Sequence, residues 1–154
     1  MKKRLFFENA KLLKEKFDII PLMYGSLGLE YLTGESLDAD DIDILVPKAY
    51  VTDRWNEFKE GLINKGYALY DEHEHTFIKN DVLYSYASLE ELESFAGIKI
   101  SEISIKSENS IKFRLLSLEE YLRVYRESMK DGYRVNVRKK KDKEKIKFIE
   151  GLVK

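Results

Sequence analysis

Four apolar side chains and one acid make up the run Ile42-Asp43-Ile44-Leu45-Val46, with Asp41 directly ahead of it and Pro47 directly behind. Near-continuous hydrophobicity over so short a stretch, stopped by a proline, predicts a strand buried on both faces. Such a strand belongs inside a sheet covered by other elements, which narrows the fold to layered mixtures of helix and strand. It also poses a physical problem, because an ionised carboxylate is costly to desolvate beside neighbours of this kind. Side chains two apart on a strand share a face, so Asp41 and Asp43 are expected to project together, about 6–7 Å apart, while Ile42 and Ile44 face the core. Two carboxylates so placed repel each other unless a cation sits between them, and Mg2+ (or Mn2+) favours such oxygen ligands together with substrate phosphates. An acidic pair ahead of a strand can also cap a turn or face solvent on an edge.

The rest of the chain supplies the covering layers. Leu5, Phe6, Ala10, Leu13 and Phe17 fall near one helical stripe, and a strand from Ile19 to Tyr24 is expected next. Pro21 has no amide to donate, so that strand lies at an edge or starts after it. Gly25, Ser26 and Gly28 then turn the chain into a short helix closed by Gly34. A helix is expected over Thr52 to Lys65, capped by Thr52 or Asp53 and ended by Gly66. After Gly66 the runs YALYDE, HTFIK and VLYSYA read as strands, the last two joined by a turn at Asn80-Asp81. Ser88 with Glu91, and Ser117 with Glu120, have the spacing of capping boxes, each predicting a helix start. Between them IKISEISI and SIKFRLL read as a strand pair connected over Lys106 to Asn109, and after a helix ending near Gly132 a last helix is expected from about Asp142. The pattern is α+β (mixed α/β): a mixed sheet flanked by helices, in one domain over 1–154, with a core to about 116 and a helical C-terminal extension from about 117.

Composition excludes several alternatives. At 154 residues, 44% hydrophobic and 36% charged, the chain has the balance of a folded protein and not of a disordered one. No run approaches the roughly 20 apolar residues of a membrane span. Lys and Glu interrupt the opening MKKRLFFENAKLLKEKFD where a signal peptide would stay apolar, so a cytoplasmic protein is expected. Without cysteine there are no disulfides, thiolate metal sites or cysteine nucleophiles. The net charge of −1 gives no global attraction to nucleic acid. The segment Arg134 to Lys147 carries eight basic and two acidic residues, but no aromatic interleaves with its first basic cluster as a stacking surface would require, so nucleic acid is not the expected partner.

The stretch MYGS, a short helix, then DIDILVP resembles the signature of the DNA polymerase β-type nucleotidyltransferase superfamily. The chain looks most like its small bacterial members, near the lincosamide and kanamycin nucleotidyltransferases. That resemblance implies a mixed-sheet protein that uses Mg2+ to transfer a nucleoside monophosphate from a nucleoside triphosphate to a hydroxyl of a small molecule or protein, releasing pyrophosphate. It implies that Gly25 and Ser26 hold the triphosphate and that Asp41 and Asp43 bind the metal. Physical chemistry agrees in part: glycine lets the backbone approach a polyphosphate, and amides with a hydroxyl at a helix start bind its oxygens. The chain departs from the family at the third carboxylate, expected on a strand beside the Asp-x-Asp strand. The matching run is VLYSYAS, with Ser85 or a neighbour at that place and no acid. The alternative is therefore a catalytically degenerate relative that binds nucleotide or a protein partner, as antitoxin-like relatives do.

Three further features bear on the cleft. On a strand Asp71, His73 and His75 would share a face, as a partial zinc site or a solvent-facing strand, or with His73 or His75 lining the cleft to contact a phosphate or accept the acceptor's proton. Tyr121 and Tyr125, four apart beside Leu118 and Leu122, form a core stripe or a stacking surface. Lys141-Asp142 resembles a Lys-Asp pair that some nucleotidyltransferases place near the cleft; otherwise Asp142 is an N-cap and Lys141 a solvated cation. The sequence leaves open a homodimer that completes the cleft.

Overall fold

Pro21 lacks an amide donor, and the first strand accordingly starts one residue later. The structure, a computed structural model, describes residues 2–130 and 136–153, with 130, 136–142 and 153 by backbone alone. Helix α1 (Lys2–Phe17) leads to β1 (Leu22–Tyr24), α2 (Gly25–Thr33) and β2 (Ile42–Val46). A 3₁₀ turn (Lys48–Val51) precedes α3 (Trp55–Ile63), and then come β3 (Ala68–Asp71), β4 (Thr76–Lys79) and β5 (Val82–Ser88). The chain continues with α4 (Glu91–Ala96), β6 (Ser104–Glu108), β7 (Ile111–Leu115), α5 (Leu118–Lys130) and α6 (Asn136–Val153). The expected α+β class is what forms: one seven-stranded mixed sheet in the order β3-β4-β5-β2-β1-β7-β6. No helix among the described residues is long and apolar enough to cross a membrane.

Strand β2 lies at the centre, antiparallel to β1 and parallel to β5, which explains why its sequence is apolar almost throughout. Its alternate side chains serve two different cores. Ile42, Ile44 and Val46 join Met23, Tyr84 and Tyr86 under α1 and α3, where Phe6, Leu13, Phe58 and Leu62 are buried. Leu45 faces the other way with Leu22 and meets Leu92, Tyr121, Leu122 and Ile149 from α4, α5 and α6. The first face is filled with aromatic pairs at edge-to-face angles, among them Phe58 with Tyr86 at 5.0 Å. Within it Asn9, fully buried, donates through its amide nitrogen to the hydroxyls of Tyr67 at 3.1 Å and Tyr86 at 2.7 Å, while its Oδ1 has no hydrogen-bond partner among the described residues.

Four local expectations differ from the structure. The helix expected from Thr52 begins at Trp55, because the Thr52 hydroxyl donates to the Lys48 carbonyl and closes the 3₁₀ turn instead of capping α3. Ser88 is the last residue of β5, paired with Val46, and does not cap α4. In the last strand pair, Ile100–Glu102 is a 3₁₀ turn and the strands meet at Asn109 and Ser110, both with positive φ. The final helix starts at Asn136, six residues before Asp142, and the expected end near Gly132 lies outside the described residues. The capping box at Ser117 does form: its hydroxyl accepts from the Glu120 amide at 3.2 Å and Glu120 accepts from the Ser117 amide at 2.9 Å.

Candidate active site

Strand register builds the site. Tyr24 pairs with Asp43, Asp43 with Ser85, and Ser85 with Thr76, so four adjacent strands place these side chains in a row on one face of the sheet. This is the face that α4, α5 and α6 cover, and at this end of it the apolar packing gives way to a polar cleft. Ser85 stands beside Asp43, at the place where the family resemblance implies a carboxylate, and its hydroxyl shares a 2.9 Å hydrogen bond with Thr76.

The turn from β1 into α2 closes against Asp43. Gly25 has φ +63°, and a Cβ built there would lie 2.6 Å from Asp43 Oδ2, so the backbone conformation and the carboxylate both require glycine. The N-cap residue Tyr24 makes no side-chain cap at the start of α2, and the first residues of that helix, Gly25 and Ser26, line the same space. Tyr121 fixes the turn from behind: its hydroxyl donates to the carbonyls of Gly25 at 3.1 Å and Met23 at 3.4 Å. Burial above all, and then Tyr125, Tyr24 and Asp43, push its phenol well above the ordinary value, so it stays a donor. Gly28 lets this ring approach, since a Cβ there would fall 2.1 Å from the Tyr121 oxygen. Tyr121 is thus a buried support, stacked on Tyr125 at 5.9 Å, and both rings belong to the wall of the cleft.

From α6, Lys145 donates to the Ser26 hydroxyl at 2.7 Å and lies 5.3 Å over the Tyr125 ring. The sequence pointed instead to Lys141, which is one turn earlier on the same helix and lies inside it, not at its start; the Lys141 side chain is outside the described residues. The spacing of four was the available signal: if Ile146 and Ile149 pack inward, the residue beside them at 145 reaches the sheet.

Two cavities meet at Ser26, Asp43 and Lys145. The first, about 320 Å³, runs over Tyr24, Ser85 and Ala87 to Glu74 and Phe95. The second, about 470 Å³, is lined by Asp38, Asp40 and Asp41 with Glu144 and Phe148. Asp41 is exposed and lies just ahead of β2, yet it shares this second cavity with the half-buried Asp43. Their oxygens suit a hard divalent cation, but no group of three or more His, Cys, Asp or Glu among the described residues forms a metal cage. A cation held here by two carboxylates would take its remaining ligands from phosphate or water, as Mg2+ commonly does.

The histidines are elsewhere. Residues 72–75 form a turn between β3 and β4, so Asp71, His73 and His75 do not alternate along a strand and make no zinc site. His73 is exposed, and His75, with φ +53°, packs edge-on to Trp55 at 4.5 Å. Burial, opposed by Glu74 and Glu72 and assisted by His73, holds the His75 imidazole below its ordinary value. Neither ring lines the two cavities, whereas Glu74, from the same turn, lines the first.

No family model matches the chain. Among solved structures it is similar to ANT(2'')-Ia in complex with adenylyl-2''-tobramycin, with a TM-score of 0.59 and 12% identity, covering 100% of this chain and 91% of that one. The solution structure of the antibiotic-resistance factor ANT(2'')-Ia is similar with a TM-score of 0.54 and 12% identity, over 99% and 91% of the two chains. These likenesses give the chain a nucleotidyltransferase-like fold. In sequence it is 36% identical over 148 residues to the uncharacterized protein YnaI of Bacillus subtilis (strain 168), covering 96% of this chain and 95% of that protein. With the two sequences alignable nearly end to end, the chain belongs to the same family as YnaI.

Proposed function

We propose that the chain is a metal-dependent nucleotidyltransferase that moves a nucleoside monophosphate from a nucleoside triphosphate to a hydroxyl. The observation that carries this reading is the Asp43 carboxylate packed against the Gly25-Ser26 turn, with Lys145 reaching the same serine. The α2 amides, the Ser26 hydroxyl and the Lys145 ammonium are three kinds of phosphate-oxygen donor converging on one place. Asp41 and Asp43 would hold Mg2+, which when bound supplies charge neutralisation at the transferred phosphorus and the departing pyrophosphate. Tyr121 keeps the turn in place beneath, so the donors are positioned before the triphosphate arrives. The solved ANT(2'')-Ia complex contains an adenylylated aminoglycoside, which makes a small polyhydroxy acceptor the first class to test. Binding of Mg2+-ATP should be lost at least about ten-fold in Asp43→Asn and in Lys145→Met, read by calorimetric titration with and without EDTA. Equal, metal-independent binding in wild type and Asp43→Asn would remove this reading.

A second reading, a binder without turnover, is favoured by one observation: Ser85 stands beside Asp43 where an acid would complete the set. Metal-dependent nucleotide binding without pyrophosphate release would select it.

A further inference from the structure

The row of side chains across the sheet holds Asp43 but offers no second carboxylate to receive a proton, since Ser85 and Thr76 beyond it hydrogen-bond to each other. A hydroxyl that attacks phosphorus must lose its proton, and a carboxylate within reach is the usual recipient. Besides Asp43, the first cavity is lined by one other carboxylate among the described residues, Glu74. Its backbone is tied to the row: the Thr76 hydroxyl that contacts Ser85 also contacts the Glu74 carbonyl at 3.3 Å, and the Glu74 amide donates to Asp71 at 3.2 Å. The positive φ of His75 reverses the chain between Glu74 and β4, and the packing of His75 on Trp55 holds that reversal in place. The Glu74 side chain is 68% exposed, with a loose 4.0 Å approach to His73, so it reaches the cavity from the solvent side.

Resting on the transferase reading above, we propose that Glu74, delivered by the β3–β4 turn, is the catalytic residue that takes the acceptor's proton. In that step the acceptor O–H proton passes to the Glu74 carboxylate while the oxygen's electron pair forms the new bond to the α-phosphorus. The bond from that phosphorus to the bridging oxygen breaks, its electron pair leaving with pyrophosphate, and protonated Glu74 returns its proton to water. The acceptor would then enter between α4 and the β3–β4 turn, past Glu74 and Phe95, opposite the side on which Asp41 lies.

Pyrophosphate release from the Mg2+ complexes of ATP, GTP, CTP and UTP is measured with water, glycerol and tobramycin as the hydroxyls offered, alongside equilibrium binding of each triphosphate. Glu74→Gln should lower kcat by about 10²–10³-fold while triphosphate affinity stays within about two-fold, because the residue acts on the acceptor alone. Ser85→Asp placed in the Glu74→Gln background should restore about ten-fold or more, by putting a carboxylate beside Asp43. Unchanged kcat in Glu74→Gln, a matching loss of triphosphate affinity, or a lack of rescue by Ser85→Asp would overturn the proposal. So would a wild type that binds triphosphate through Asp43 yet releases no pyrophosphate with any of the three hydroxyls. A wild type that binds no triphosphate defeats the transferase reading first, and the role of Glu74 falls with it.

Discussion

Two glycines show how narrowly single positions are set. Gly28 has the Tyr121 oxygen and the Met23 carbonyl at 2.1 and 2.3 Å from where a Cβ would go, and one of those neighbours is backbone that cannot swing aside. Gly28→Ala is therefore expected to destabilise the fold by about 1–3 kcal/mol, measured by urea unfolding. Tyr121→Phe, which deletes the hydroxyl and leaves the ring, should cost about 0.5–1.5 kcal/mol. A Gly28→Ala variant as stable as the wild type would show that the crowding at the turn is not what holds it. At this scale the sequence was informative where a residue's position followed from its own chemistry. Gly25, Ser26 and Asp43 stand where strand periodicity and a glycine turn place them. His73 and His75 do not, because one left-handed residue at His75 converts a strand-like alternation into a turn. Lys145 was hidden in a basic run whose members on α6 are told apart by which way the helix faces.

Helix starts show why local patterns need their neighbours. Ser88 and Ser117 have the same capping-box spacing, yet Ser117 exchanges two hydrogen bonds with Glu120 while Ser88 is held in the sheet opposite Val46. Pairing of β5 with the central strand covers five residue pairs and outweighs one cap, which is worth about 1 kcal/mol. Ser117→Ala should accordingly lower stability by about 0.5–2 kcal/mol. Ser88→Ala should be neutral or stabilising, because the Ser88 hydroxyl is buried with no hydrogen-bond partner among the described residues. Equal losses for the two in thermal or denaturant unfolding would contradict the assignment. The same competition moved the start of α3, where Thr52 is taken by the preceding 3₁₀ turn. Elements with long apolar runs or left-handed turn pairs, such as β2 and the Asn80-Asp81 hairpin, were legible because no neighbour offers their residues anything better.

Over the whole molecule, the C-terminal helix joins the two ends of the chain. Through Lys145 it touches Ser26, 119 positions earlier, and it is held to α5 by buried Ile149 and an Arg126–Glu150 ion pair at 2.7 Å. Exposed ion pairs contribute little, about 0–1 kcal/mol, so the apolar anchor dominates. Ile149→Ala is expected to cost about 2–5 kcal/mol and to weaken Mg2+-ATP binding although Ile149 lines neither cavity, because Lys145 loses its support. Denaturant unfolding and a binding titration on the same variant test this; full affinity with reduced stability would show that Lys145 docks independently of the helix. The two-sided sheet was legible in the composition of β2, whereas the closure of the cleft by α6 depends on contacts between distant parts of the chain that no local pattern encodes. Tyr84 and Tyr86 anchor one side of β5 in the core while Ser85 faces the cleft from the other, so packing and cleft lining fall on alternating letters of one strand. A side chain can thus be exchanged at position 85, and the chemistry offered to the cleft changed, without opening a hole in the packing beneath.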